Sequence, residues 1–377
     1  MTHDLSLLRQ SRRGFMKSAG LAAMTMTGLG SYAGSLSLAN AAGTPLSFAG
    51  WQGEDDPAAA AEFLKSTGST IDAVYVNSGD ELLTKLRSGG LGSIDVVSQN
   101  KDYIPLAIKS KLLQPLDLSR IPNAAKIYPV LAKAPWAQSD GETYAIPLSW
   151  GDSPIVWDPK KWDAPPEKYS DLADAKYKGQ LVCLDDAYSI LWLFSSSLGH
   201  PDPSKITQAQ LDDVLKLANS VKKNIVLVGS FGDMTDVMVR GDASMAFAGW
   251  ELMVEMAAAK GAVLKSGLTG KDKGFLWSDA YSIPRDAPNL DAAYAFINTM
   301  VGAEANAILA VNTGSGAANA DAVALIPAEK RNQYNYALVD GDPATNAMSL
   351  SVLPPLVPEG DIVGIAAWRM AWQEFRA

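Results

Sequence analysis

From Leu46 onward the chain alternates short apolar runs with amphipathic stretches. Leu46-Ser47-Phe48-Ala49, Ile71 to Val76 and Ile94-Asp95-Val96-Val97 have the length and the β-branched or aromatic content of strands. Between and after them, Ala58 to Leu64, Glu81–Arg87 and Tyr103–Lys109 show helical spacing, and Ser78-Gly79-Asp80-Glu81 has the form of a capping box. A strand-helix-strand-helix-strand order predicts a mostly parallel sheet covered by helices on both faces. Ligands of such sheets bind beyond the carboxyl ends of the strands. Here those ends are Gly50-Trp51-Gln52, Asn77-Ser78 and Ser98-Gln99-Asn100.

The pattern then restarts. Tyr144 to Leu148 and Ile155-Val156-Trp157 read as short strands flanking Ser149-Trp150-Gly151-Asp152-Ser153. After Ala164-Pro165-Pro166 come strands at Leu181–Leu184, Ile225–Val228 and Ser244–Ala248. Helices are expected at Ser189–Leu198, from the Thr207 cap to Val221, at Thr235–Arg240 and at Glu251–Ala259. Three helices close the chain, Asp291–Val301, Ala303–Val311 and Ile362–Phe375. The last carries Ile365, Trp368, Trp372 and Phe375 on one side, a stripe that predicts core packing. Two αβ units joined by short strands predict two lobes with a cleft between them.

One run carries chemistry. In Phe275-Leu276-Trp277-Ser278-Asp279 an extended backbone sends Trp277 and Asp279 to the same side. A flat π surface beside a carboxylate suits a protonated amine: the carboxylate takes the charge, and the ring takes the adjacent CH₂ groups. Asp185-Asp186, Trp250 and Trp51 sit in comparable strand-end contexts, although Asp186 is equally placed to cap a helix.

Charge and composition narrow the classes. The net charge is −9, of which the first 41 residues contribute +3, leaving −12 on residues 42–377. That balance disfavours nucleic acid and anionic membranes and fits cationic small ligands. Cys183 is alone, so no intramolecular disulfide forms, and it lies in an apolar strand. His200 is the one histidine beyond the leader, which leaves no His-rich metal site, and no G-x-S-x-G elbow is present for a serine triad. No cofactor is expected. Ser11-Arg12-Arg13-Gly14-Phe15-Met16-Lys17, followed by a mildly apolar run and Ala39-Asn40-Ala41, resembles a twin-arginine export signal. It implies a mature chain that starts at Ala42 and resides in the periplasm.

Four motifs in order resemble a family. They are Tyr144 to Gly151; Tyr177-Lys178-Gly179 with Leu181 and Asp185-Asp186-Ala187; Gly241 with Met245-Ala246-Phe247-Ala248-Gly249-Trp250; and Phe275 to Asp279. In order and spacing they are similar to the periplasmic spermidine/putrescine-binding proteins, solute receptors of bacterial ABC importers with the type II periplasmic-binding fold. The resemblance implies ligand contacts at Trp51, Asp186, Trp250, Trp277 and Asp279. The chain departs from the family pattern at Glu54, where a tyrosine is usual, at Asn100 and Asp102 in place of a serine and a tyrosine, at Ser189 in place of a glutamate, and around Asn312. An altered acidic pocket with Glu54, Asn100 and Asp102 in it is therefore expected.

The expectation is an α/β protein of two lobes, each a mostly parallel sheet flanked by helices, with the ligand cleft between. The expected divisions are the export signal at 1–41, the first lobe at 42–150, the second at 151–277, a return to the first at 278–325, and C-terminal helices on the second lobe at 326–377. The function expected is a monomeric receptor that closes on a small cationic amine and delivers it to a membrane ABC permease. Two alternatives stand beside it. One is the same receptor for a sugar or amino-acid derivative. The other is a cofactor-free periplasmic hydrolase or lyase with carboxylates such as Asp185 and Asp186 as acid and base.

Overall fold

The computed structural model describes residues 43–76, 78–272, 274–341 and 353–377. The expected export signal, with Arg12, Arg13 and the cleavage site before Ala42, lies outside the described residues, as does Asn77.

The first lobe begins with β1 (Leu46–Gly50), α1 (Ala61–Thr67), β2 (Ile71–Tyr75), α2 (Gly79–Lys85), β3 (Val96–Asn100) and α3 (Ile104–Lys109). Strand β1 lies between β2 and β3 and parallel to both. The Ser78 side chain accepts from the Glu81 N–H and so starts α2, as its spacing predicts. A short α4 (Pro129–Ala132) and a hairpin of β4 (Gln138–Ser139) and β5 (Glu142–Thr143) lead to β6 (Ile146–Asp152), which is buried throughout. Only Ser153 and Pro154 separate β6 from β7 (Ile155–Trp157), which belongs to the other sheet.

The second lobe continues with β8 (Leu181–Leu184), α5 (Ala187–Ser197), α6 (Gln208–Lys222), β9 (Ile225–Gly229), α7 (Phe231–Val239), β10 (Met245–Phe247), α8 (Leu252–Ala258) and β11 (Lys265–Gly267). Its sheet runs β11-β7-β10-β8-β9. The chain returns through β12 (Leu276–Ser282), which inserts between β6 and β3, antiparallel to both. It ends with α9 (Leu290–Met300), α10 (Ala303–Thr313), β13 (Gly316–Ala317) on the edge beside β6, α11 (Ala328–Arg331) and α12 (Ile365–Arg376). The parallel character expected from the sequence is carried by β2-β1-β3 and by β9-β8-β10. Strands β6, β7 and β12, which cross between lobes or flank a crossing, add antiparallel pairs.

Two boundaries differ from expectation. Trp277 lies in β12 and so in the first sheet, not at the end of the second-lobe stretch. Residues 326–341 do not pack with the second lobe's core. Tyr334 and Val339 join the core of the first, where the rings of Tyr334 and Tyr336 cover Trp150 edge-on at 5.9 and 5.4 Å between centroids. Helix α12 does pack on the second lobe, burying Trp368, Trp372 and Phe375 against the elements that include α5 and α6. Trp150 itself is a core residue, its indole N–H held by the Ala317 carbonyl. Gly314 ends α10 in the left-handed conformation at φ 61°, and Gly316 already pairs in β13.

Candidate functional site

A cavity of about 540 Å³ opens between the lobes. Its walls come from chain that follows, or lies at, the ends of strands. From the first lobe come Trp51 after β1, Ser78 and Gly79 at the start of α2, and Asn100, Asp102 and Tyr103 at the end of β3. Strand β12 runs against β3 with Asp279 opposite Asn100, so Trp277 and Asp279 reach the same place from the other direction. From the second lobe come Asp186 and Tyr188 after β8, Phe231 after β9, and Gly249 and Trp250 after β10.

The structure thus brings Trp51, Asn100, Asp102, Asp186, Trp250, Trp277 and Asp279 together. Glu54 is not part of the cavity wall. It is 5% exposed and lies behind Asp279, its carboxyl group in contact with that of Asp279. The pairing of β12 with β6 slips by one residue between Asp279 and Ala280, because β6 carries an extra residue at Leu148 beside Pro147, which has no N–H to give the ladder. This irregularity sits beside the residue that presents its carboxyl group to the cleft.

Local contacts fix the rings. The Trp277 indole donates to the Asp152 carbonyl at 3.2 Å and lies over Gly151, where a Cβ would come within 2.4 Å of the ring. Trp250 donates from its indole to the Gly314 carbonyl at 3.1 Å, tying the second lobe to the end of α10. Tyr103 has the same relation to Gly79 as Trp277 has to Gly151. Trp51 is anchored by its backbone N–H to the Ser98 hydroxyl at 3.2 Å.

The acids differ in what balances them. Asp102 pairs with Lys101 Nζ at 2.7 Å, and Lys101 is only 1% exposed, with its ammonium 4.8 Å from the Phe275 ring centre. Burial still raises the Asp102 carboxyl above its ordinary value, with Lys101 opposing. Asp186 caps α5 by accepting from the Ser189 N–H at 2.8 Å. It both caps the helix and faces the cavity. Among the described residues, Glu54 and Asp279 have no such partner cation in contact. Glu54 Oε2 and Asp279 Oδ1 find no donor among the described residues. Burial raises both, Asp279 to about 7, and Glu54 is raised further by the neighbouring Asp279 charge. Two carboxyl groups in contact form a hydrogen bond only if one of them keeps its proton.

Sequence reasoning missed Tyr103, Tyr188, Phe231, Phe275 and Lys101. Tyr103, Tyr188 and Phe231 each stand within four residues of a strand's carboxyl end, the one signal that could have found them. Lys101 carried no signal, since a lysine after a strand is ordinarily solvated. No group of three or more metal-binding side chains occurs among the described residues.

Residues 58–335 match the model of the bacterial extracellular solute-binding proteins. The chain is 25% identical over 267 residues, 68% of its own length and 72% of the other, to the spermidine/putrescine-binding periplasmic protein of Escherichia coli. It is 24% identical over 338 residues, 84% of its length and 88% of the other, to the putrescine-binding periplasmic protein PotF of Escherichia coli. Among solved structures, the spermidine/putrescine ABC transporter substrate-binding protein PotD of Streptococcus pneumoniae superposes with a TM-score of 0.73 at 23% identity, covering 89% of this chain and all of that one. The likeness in fold to that receptor extends through both lobes and the strands that join them, and the chain belongs to the family of bacterial extracellular solute-binding proteins.

Proposed function

We propose that this protein captures a small cationic organic amine in the cleft between its lobes and presents it to the permease of an ABC importer. The observation that carries the ligand chemistry is the acid pair Glu54–Asp279, which has no cation in contact among the described residues, beside the rings of Trp51 and Trp277. The ammonium group lies against Asp279, its CH₂ groups pass over Trp277 and Trp51, and Trp250 and Asp186 close on it from the second lobe. Asn100 orients Asp279, and Glu54 supports it from behind. The relatives named for spermidine and putrescine agree with this chemistry.

The lobes close by a hinge at the two crossings, β6 to β7 and β11 to β12. The ion pair of Arg369 in α12 with Asp80 in α2, at 3.0 Å, links the lobes at their surface. In the cell the chain is exported by the twin-arginine route that Arg12 and Arg13 specify, loses residues 1–41, and works as a monomer.

A calorimetric screen of diamines, polyamines, sugars and amino acids tests the reading. Tight binding of an amine, lost on Asp279→Asn, is the expected result. Tight binding of a neutral or anionic solute, indifferent to Asp279→Asn and Asp186→Asn, would contradict it.

A further inference from the structure

We propose that the cleft takes its ligand's nitrogen in exchange for a proton: Glu54 and Asp279 hold one proton between them when the site is empty, and a cation bearing N–H groups displaces it. The inference rests on the cleft reading above and specifies how the acid pair works and what kind of cation it accepts.

The geometry sets the terms. Glu54 reaches Asp279 from the loop after β1, and Asp279 comes from β12. The Glu54 carbonyl is held in place by the Tyr281 hydroxyl, also from β12. Around Glu54 the ionisable or polar neighbours are Asp55 on its own loop, Tyr281, Asp279 and the Ser98 hydroxyl. Around Asp279 they are Asn100, Lys101 and Asp102 at the end of β3. Lys101 is the one cation in that set, and its ammonium is engaged with Asp102 at 2.7 Å.

Two ionised carboxylates in contact, with Glu54 buried and one Asp279 oxygen shielded, repel strongly, so the pair retains a proton. Burial raises both groups, Asp279 to about 7, which is where its share of the exchange falls. An arriving primary ammonium offers three N–H donors and competes with the shared proton for the Asp279 carboxylate, which lines the cavity. It sets a positive charge against Asp279 in place of the proton the pair shared, so the net charge at the pair stays the same while the proton leaves to solvent. An amine of pKa near 10 arrives fully protonated, so a proton released near pH 7 comes from the protein. A quaternary ammonium has no N–H to give the Asp279 carboxylate and cannot take the proton's place. Glu54 is thus a specificity residue that favours primary or secondary ammonium and guanidinium over quaternary nitrogen.

The experiment is titration calorimetry of the mature protein with putrescine and with its fully N-methylated bis-quaternary analogue, at pH 7, in two buffers of different ionisation enthalpy. The expected result is release of between about one half and one proton per putrescine. The quaternary analogue is expected to bind at least about tenfold more weakly and to release none. Glu54→Gln should abolish the release and flatten the rise of affinity between about pH 6 and pH 8. Asp279→Asn serves as a second variant, and the two-buffer comparison on the wild type needs no variant at all. Putrescine binding with no proton exchange in the wild type, or release that survives Glu54→Gln, would overturn the exchange while leaving the amine reading intact. Absence of binding by either amine would overturn the amine reading and the exchange with it.

Discussion

Strand β12 passes two pairs of carboxyl groups, in which Glu54, Asp152 and Glu251 are buried and Asp279 is partly exposed to the cavity. At Asp279 it meets Glu54, and at Leu276 it pairs in register with Asp152, whose side chain faces Glu251. The chemistry of the pairs is the same. Glu251 is 3% and Asp152 8% exposed, the Asp152 N–H donates to Glu251 Oε1 at 3.3 Å, and Asp152 Oδ1 and Glu251 Oε2 have no donor among the described residues. Burial pushes Asp152 up to about 6 and raises Glu251 well above the usual carboxylate range, with Asp152 adding to it. The surroundings differ. Asp279 lines the cavity, whereas Asp152 and Glu251 join the end of β6 to the start of α8, outside the cavity lining. A raised carboxyl group is therefore not by itself the mark of a ligand site. What distinguishes Asp279 is access to an empty volume lined with aromatic rings.

The largest expected effect separates the two pairs directly. Removing one partner of a buried charge pair costs about 2–5 kcal/mol. At about 1.4 kcal/mol per tenfold, Asp279→Asn should weaken amine binding roughly 30-fold or more. Glu251→Gln should leave the affinity within about threefold of wild type, as calorimetry would show. Equal losses from both substitutions would break the distinction. Asp102→Asn, where Lys101 already balances the charge, should weaken binding less than Asp279→Asn does.

Ring contacts come next. A desolvated cation–π contact is worth about 2 kcal/mol, so Trp277→Ala should cost roughly 30-fold in dissociation constant and Trp277→Phe less. Gly151→Ala should act through the same ring, since the added methyl would lie 2.4 Å from it. Fluorescence titration would follow both.

The pH dependence of stability sharpens the comparison further. A carboxyl group raised on folding makes the folded state bind more protons than the unfolded one, so stability falls as pH rises. The stabilising contribution is complete below the unfolded value near pH 4 and is lost as pH rises through the folded values, about 6 for Asp152 and about 7 for Asp279. Melting temperatures should therefore decline from pH 4 to pH 8, and either Glu251→Gln or Glu54→Gln should reduce the slope. A saturating amine should remove the part that belongs to Glu54 and Asp279 and leave the part that belongs to Asp152 and Glu251. At a hundredfold excess over its dissociation constant it also adds about 2.7 kcal/mol by mass action. The smallest effect is expected at the surface. The Asp80–Arg369 pair is about half exposed on both sides, and Arg369→Ala should change ligand release by no more than a few-fold in stopped flow.

Much of this arrangement was legible in the chain, for identifiable reasons. The alternation through Trp277 and Asp279 gave their common side, and strand-end positions gave Trp51, Asp186 and Trp250. Caps at Ser78 and Thr207 were local signals and are seen as such. What the sequence did not disclose depends on contacts between distant segments. Glu54 meets Asp279 only because the loop after β1 folds behind β12, which placed it outside the expected pocket wall. Asp152 and Glu251 are brought together by the return of β10 to the crossing. The balance of Asp102 by Lys101 requires knowing that the lysine is buried. Tyr334 and Tyr336 follow a stretch with no helical period and were assigned to the wrong lobe, since the target of their packing, Trp150, lies far away in the chain.

The central claim, that the cleft holds an organic cation on Asp279 with Glu54 behind it, is tested most directly by a crystal structure of the protein with the solute it retains on native purification. The account predicts density along Trp51 and Trp277, ending in a nitrogen within hydrogen-bonding distance of the Asp279 carboxylate. A neutral or anionic solute in the cleft, or an amine whose nitrogen lies away from Asp279, would contradict it.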